Sequence, residues 1–225
     1  MISFSYMPSP NTLKTYQADH YYHLYNRGVN KRKIFLDDQD YKVFLSYLKE
    51  YLSPVIDGMF PSKIKNNFNK VIKLSAYCLM PNHFHLLVHQ KNPDDINYFM
   101  RSLNTNYVRY FNLRHRRIGP LYQSRYKAVS VTTDEQLLYL SKYIHRNPLK
   151  SLFPEGNPTS RTVLEVMVAH KFSSLSNYLG AINQPWVNTS AILTYFSHIN
   201  SSQLYAGFIT NQELSDTINP LLLDE

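Results

Sequence analysis

Met80-Pro81-Asn82-His83-Phe84-His85-Leu86-Leu87-Val88 sets two histidines on either side of one bulky apolar residue, at the head of a short apolar run. A run of this length after a Pro-Asn turn reads as a strand, and side chains in a strand alternate faces. His83 and His85 therefore share one face while Phe84 enters the opposite layer. Such a pair of imidazoles can grip a divalent ion and leave its other positions to oxygen ligands and a substrate phosphate. A bare His-x-His is explained as simply by surface histidines on a half-buried strand, so the surrounding chain has to decide. On an open sheet face, neither histidine is expected to carry core packing.

Upstream, Val71 to Met80 reads as a second strand, linked to the histidine strand by Pro81-Asn82 and expected to pair with it. Before it lie a polar loop over Ser62 to Lys70 and a helix whose apolar face is Tyr41, Phe44, Leu45, Leu48 and Leu52. Asp37, Asp38 and Asp40 sit near the positive end of that helix. The first strand is Tyr21-Tyr22-His23-Leu24-Tyr25-Asn26, followed by a turn at Arg27-Gly28-Val29-Asn30.

Downstream, Asn92-Pro93-Asp94-Asp95 predicts N-cap, first-turn proline and acidic start of a long helix with Ile96, Phe99, Met100, Leu103, Tyr107 and Tyr110 on its buried face. Arg114, His115, Arg116 and Arg117 precede an expected stop at Ile118-Gly119. Those cations either complement the helix dipole or, with Arg125 and Lys127 on an expected strand from Leu121 to Val131, hold phosphates. A third helix starts at Thr133, has capping-box spacing to Gln136, buries Leu137, Leu140 and Ile144, and is expected to end at Asn147-Pro148. Phe153 to Pro158 reads as a hinge into a mostly helical tail.

On the third helix Tyr143 and Asn147 are one turn apart, roughly opposite His145. If that face covers the histidine strand, the Asn147 carbonyl completes the metal site and the Tyr143 oxygen points at a metal-bound phosphate. A tyrosine nucleophile suits breaking and rejoining of nucleic acid, because the phosphotyrosine ester conserves the energy of the phosphodiester. Tyr143 is one of 19 tyrosines, and an ordinary half-buried helix residue is the plain alternative. Tyr139 and Tyr107 compete with it but have no amide or acid one turn on.

The whole composition favours a polyanionic partner: 24 Lys plus Arg against 16 Asp plus Glu give a net charge of +8 in 225 residues, one domain of ordinary size with or without an appendage. The single cysteine, Cys78, allows no intrachain disulfide. With no signal-like N-terminus and no apolar run long enough for a bilayer, a reducing cytoplasm is expected and no membrane.

Five ordered blocks resemble the single-tyrosine HUH transposases, specifically the REP-associated tyrosine transposases (RAYTs) related to small insertion-sequence transposases. They are Tyr22-His23-Leu24-Tyr25-Asn26-Arg27-Gly28, Ile34-Phe35-Leu36-Asp37 with Asp40, the histidine strand from Met80, Gly119-Pro120-Leu121-Tyr122-Gln123-Ser124-Arg125-Tyr126-Lys127, and Tyr143-Ile144-His145-Arg146-Asn147-Pro148. The resemblance implies an α+β fold, a ferredoxin-like or RRM-like antiparallel sheet with packed helices, over residues 1–150, with a helical C-terminal extension over 151–225. It implies His83 and His85 as metal ligands, Tyr143 as nucleophile and Asn147 as the amide completing the site; insertion-sequence members usually carry Gln there, so the REP-associated branch is the nearer one. Phe172-Ser173-Ser174 with Tyr178-Leu179-Gly180 is similar to a family segment that typically begins with Trp.

The implied activity is a Mg²⁺- or Mn²⁺-dependent single-stranded DNA endonuclease and strand transferase forming a 5′-phosphotyrosine, acting beside a hairpin. Arg27, Lys31, Arg32, Lys33, Arg114, Arg116, Arg117, Arg125 and Lys127 would hold the DNA backbone. Whether the site lies within one chain or is shared in a homodimer is left open. A domesticated DNA-binding protein without cleavage and a water-using phosphoester hydrolase are the alternatives.

Overall fold

The computed structural model describes residues 16–54, 67–152 and 160–211, with Asp216 and Asn219; the expected hinge and most of the expected polar loop lie outside them. In chain order the elements are β1 (His20–Arg27), α1 (Asp38–Leu52), β2 (Ile72–Met80), β3 (His83–Gln90), α2 (Asp95–Arg114), β4 (Lys127–Val131) and α3 (Asp134–Leu152). The tail follows as α4 (Ser160–Ala169), α5 (Leu175–Tyr178), α6 (Ser190–Leu193) and α7 (Ser201–Thr210). The strands form one sheet in the order β2-β3-β1-β4 with every pairing antiparallel, so β1-α1-β2 and β3-α2-β4 interleave as the ferredoxin-like α+β fold requires.

Alternation along the strands sorts two cores. Leu24 of β1, Leu74, Tyr77 and Leu79 of β2, and Phe84, Leu86 and Val88 of β3 pack under α1 and α2. Ala76, Cys78 and Met80 of β2 and Leu87 of β3 pack instead against α3 and the tail helices. In β2 the change of face between Leu74 and Ala76 comes from a register shift, with Ser75 as the extra residue that resets the alternation. Without that bulge Leu74 and Tyr77 would lie on opposite faces.

α1 starts where the acidic residues predict. The Asp37 carboxylate accepts from the backbone N–H groups of Gln39 and Asp40, satisfying two of the donors a helix N-terminus leaves open. Asp40 is fully buried and accepts from Leu36 N–H, the Tyr110 hydroxyl and the Arg114 guanidinium, with His115 also against it. This cluster ties the start of α1 to the end of α2.

Four expected boundaries move. α2 begins at Asp95, with Asp94 at the cap position, and the Asp95 carboxylate accepts from the main chain and side chain of Asn92. It ends at Arg114, four residues before Ile118. Arg116 takes the left-handed conformation, φ 50°, and Arg117 N–H closes back on Asn112 C=O, so the cap that a glycine usually supplies is made by an arginine. The expected strand over Leu121 to Val131 shrinks to β4, because Leu121 and Tyr122 are buried in succession and Gln123 to Arg125 are exposed, which is no strand alternation. Here the chain crosses the end of β1, Gln123 N–H donating to Arg27 C=O.

The fourth shift concerns α3, which runs through Pro148 to Leu152. A proline removes one helical hydrogen bond but does not forbid continuation, and Leu149, 8% exposed, anchors the next turn in the second core. At the other end, Thr133 Oγ1 accepts from Gln136 N–H as expected, while the Gln136 side chain reaches back to Thr132 instead of Thr133.

The tail's role here is packing. Leu79 N–H donates to Phe172 C=O, Tyr77 N–H to Ser174 Oγ, and Asn188 N–H to Leu74 C=O, so residues 172–188 cover the outer edge of β2. A sheet edge left open would offer unpaired backbone to another chain. No helix among the described residues is long and apolar enough to cross a membrane.

Candidate metal and nucleophile site

The open end of the sheet is organised by one turn. Pro81 C=O accepts from Ile34 and Phe35 N–H, Asn82 C=O from Gly28 N–H, and the Asn82 side chain donates to Lys31 C=O. The basic turn after β1 is thereby fastened to the head of β3. Gly28 is required for this approach, since a β-carbon there would collide with the Arg32 carbonyl oxygen and the Ile34 side chain. Strand register then sets Arg27 opposite His83, and Tyr25 opposite His85 and, across β4, Lys127.

His83 and His85 share the sheet face that α3 covers, as the alternation predicts, with ring centroids 4.9 Å apart. They are not surface histidines: His85 is fully buried and His83 is half-buried. α3 places Asn147 over them with its Oδ1 3.2 Å from His83 Nε2, and the Tyr143 ring centroid 5.5 Å from that of His85 in an edge-on contact. His145 points away from this face, hydrogen-bonded through Nδ1 to the Tyr205 hydroxyl and through Nε2 to Ser174 Oγ.

The Asn82 and Asn147 amides fix where the proton sits on His83. Burial holds its pKa down to about 4; the Asn147 amide favours the charged form, and the Arg27 and Lys150 cations oppose it. At neutral pH the ring therefore has one N–H. The Asn82 and Asn147 amides are oriented by donating their Nδ2 groups to Lys31 C=O and Tyr143 C=O, so each turns an oxygen, which only accepts, toward the imidazole. His83 Nδ1 donates to Asn82 Oδ1 over 2.6 Å. Nε2 is left with a lone pair facing the lone pairs of Asn147 Oδ1.

Two acceptors at 3.2 Å repel unless a cation lies between them. Ligands at about 2.1 Å from an octahedral ion stand about 3 Å apart, so the separation is that of two coordinating atoms. His85 Nε2 is buried with no hydrogen-bond partner, a third donor atom of the same kind. Among the described residues no group of three His, Cys, Asp or Glu could hold a metal; the atoms that converge here belong to two imidazoles and an amide. An ion held by these three atoms would keep coordination positions for substrate oxygen and water. The residues fit a divalent ion.

Of the cations expected at the DNA, Arg27, Lys31, Arg32, Lys33 and Lys127 come to this end or face of the sheet, Lys31, Arg32 and Lys33 being exposed. Arg125 is exposed on the loop before β4. Arg116 is exposed, and Arg117 lies over the Phe111 ring at 5.6 Å. Arg114 is committed elsewhere, its guanidinium 2.7 Å from Asp37 and 2.6 Å from Asp40, so its charge is matched by carboxylates of α1.

Three residues at the site escape sequence reasoning. His23 Nε2 lies 2.9 Å from His85 Nδ1. Asn82, quoted only as a turn residue, orients His83. Lys150 sets its Nζ 5.1 Å from the Tyr143 ring centroid and disfavours protonation of both site histidines. Lys150 is two turns beyond Tyr143, a signal lost once the helix is expected to stop at Pro148.

A family model described as "Transposase IS200 like" matches residues 16–147. The chain is similar to a solved structure described as "Structure of the REP associates tyrosine transposase bound to a REP hairpin", with a TM-score of 0.52 and 14% identity over 78% of this chain and 90% of that one. That likeness concerns the fold. No curated protein is significantly similar in sequence.

Proposed function

The chain belongs to the IS200-like transposase family, and on that premise we propose that it is a metal-dependent single-stranded DNA endonuclease and strand transferase with Tyr143 as nucleophile. The observation that carries this reading is the convergence of His83 Nε2 and Asn147 Oδ1, 3.2 Å apart, beside the buried His85 Nε2 and under the helix that bears Tyr143. A phosphotransfer site needs a cation held by few protein ligands and a nucleophile on a rigid element, and α3 supplies Asn147 and Tyr143 one turn apart.

His83, His85 and Asn147 would hold Mg²⁺ or Mn²⁺, and the ion would supply polarisation of the scissile phosphate and offset its developing charge. The Tyr143 oxygen forms a bond to phosphorus as the bond from phosphorus to the 3′-oxygen breaks. The phenol gives up its proton, the leaving oxygen takes one up, and the products are a 5′-phosphotyrosine and a free 3′-hydroxyl. Attack by a 3′-hydroxyl on the phosphotyrosine reverses the step and joins strands without ATP. Arg27, Lys31, Arg32, Lys33, Arg125 and Lys127 carry the phosphates toward the site, and Arg116 and Arg117 extend the contact.

The substrate is single-stranded DNA flanking a hairpin, consistent with the ligand of the solved relative and with a scissile phosphate that must enter a site buried between sheet and helix. The test is incubation with labelled hairpin-flanked single strands and Mn²⁺. A covalent protein–DNA species is expected with the unaltered protein and none with Tyr143→Phe, which keeps the ring and the DNA affinity. Cleavage by Tyr143→Phe without an adduct would make water the nucleophile and overturn the assignment.

A further inference from the structure

His23 and His85 are both fully buried, on adjacent strands, two register positions apart. Their rings lie nearly parallel, 21° between planes, with centroids 5.1 Å apart. The 2.9 Å contact joins His23 Nε2 to His85 Nδ1, and one proton has to be shared between the two nitrogens. The choice of donor decides the chemistry of His85.

If His23 donated, His85 Nδ1 would accept and its proton would sit on Nε2, a buried position that makes no well-formed hydrogen bond although the Asn147 amide lies near it. An orphaned buried donor costs about 1–3 kcal/mol and is rarer in proteins than an orphaned acceptor. If His85 donates from Nδ1, Nε2 keeps its lone pair, the form required of a ligand. The second arrangement satisfies both constraints. His23 is no third ligand, because its Nε2 is occupied by this hydrogen bond.

We propose that His23 is a positioning residue of the metal site: its Nε2 accepts the Nδ1–H of His85, fixing the tautomer and ring orientation that present His85 Nε2 as a metal ligand. Ligating histidines are commonly held this way by a carboxylate or a carbonyl; here a buried imidazole on the neighbouring strand does it. Tyr25 and Tyr143 wall the same ring, with centroids 4.8 Å and 6.2 Å from that of His23, so the acceptor has little freedom to turn away. The inference rests on the metal-site reading, and its test separates the two.

The tautomer is read directly in the metal-free, unaltered protein by ¹⁵N-histidine NMR, where protonated and unprotonated ring nitrogens differ widely in shift. His85 is expected as the Nδ1–H form; the Nε2–H form would overturn the proposal. Mn²⁺ affinity is then measured by electron paramagnetic resonance of the free ion, independently of DNA cleavage. His23→Leu, which removes the acceptor, should weaken Mn²⁺ binding about 10- to 100-fold, and His23→Gln, whose Oε1 can accept in its place, should recover most of it. Unchanged affinity in His23→Leu, or equal loss in His23→Gln and His23→Leu with both folded, would overturn the role of His23 alone. No Mn²⁺ uptake by the unaltered protein would overturn the metal site and this role together.

Discussion

Lys150 and Phe84 show how one position on a face determines what a side chain does. Lys150 is exposed, yet its ammonium lies over the ring of Tyr143 and acts on both site histidines. A cation there offsets the charge of an entering phosphate. Lys150→Met is expected to slow single-turnover cleavage about 10- to 100-fold with little change in DNA affinity, and Lys150→Arg to retain most of the rate. Equal rates in the methionine variant would remove Lys150 from the reaction. Phe84 faces the other layer and is fully buried. Phe84→Ala should cost about 3–5 kcal/mol in denaturant unfolding, whereas the half-buried His83 should cost far less as alanine while eliminating cleavage. Comparable destabilisation by the two variants would contradict the alternation. His83, His85, Asn147 and Tyr143 were legible because two periods, two in a strand and one turn in a helix, place them. His23 was not, because it meets His85 only through strand pairing, which local sequence does not specify.

Elements were legible where a periodic apolar face was long, and their ends were not where tertiary contacts took over from local chemistry. The buried stripes of α1 and α2 follow their sequence spacing, except that Tyr51 and Phe111 are buried where Leu45 and Tyr110 are expected to be, but α2 stops at Arg114, where Arg116 turns left-handed and Arg117 N–H closes on Asn112 C=O. Pro148 reads as a terminator in sequence and is overridden by the buried Leu149. The cap at Arg116 makes a test of both structure and DNA contact. A non-glycine residue in the left-handed conformation carries a steric cost of about 1–2 kcal/mol, part of which the added chain freedom of glycine offsets in the unfolded state. Arg116→Gly is therefore expected to leave thermal stability unchanged or raise it by less than about 1 kcal/mol, while removing one phosphate contact and reducing the salt dependence of DNA binding by about one counterion. A stable variant with an unaltered salt slope would return Arg116 to a purely structural role. Destabilisation would mean that the cap relies on the arginine side chain.

At the scale of the whole molecule, α3 is held from behind by the tail. His145 is fully buried and bridges Tyr205 of α7 and Ser174 before α5; Ser174 in turn bonds the main chain of Tyr77 in β2. The sequence placed His145 opposite the reactive face but had no way to supply these partners, which come from 29 and 60 residues further on. Burial pushes the His145 pKa down to about 3, against an ordinary value of 6.5. In the unfolded chain the ring takes a proton as pH falls through about 6.5, while in the fold it stays neutral until about pH 3. Its contribution to stability is thus complete above that ordinary value and lost progressively between the two, by up to about 1.4 kcal/mol per pH unit. His83, His85 and His170 are shifted in the same direction by burial, so the slope of the unaltered protein is a sum. The difference from His145→Gln, whose amide keeps a donor and an acceptor, isolates this ring. Urea unfolding should show the variant less stable by a constant amount above pH 7 and by a shrinking amount from pH 6 to 4, because only the unaltered chain has this proton to gain on unfolding. Parallel stability curves for the two proteins would mean that His145 takes up its proton at the same pH in the fold as in the unfolded chain, against the shift that burial imposes.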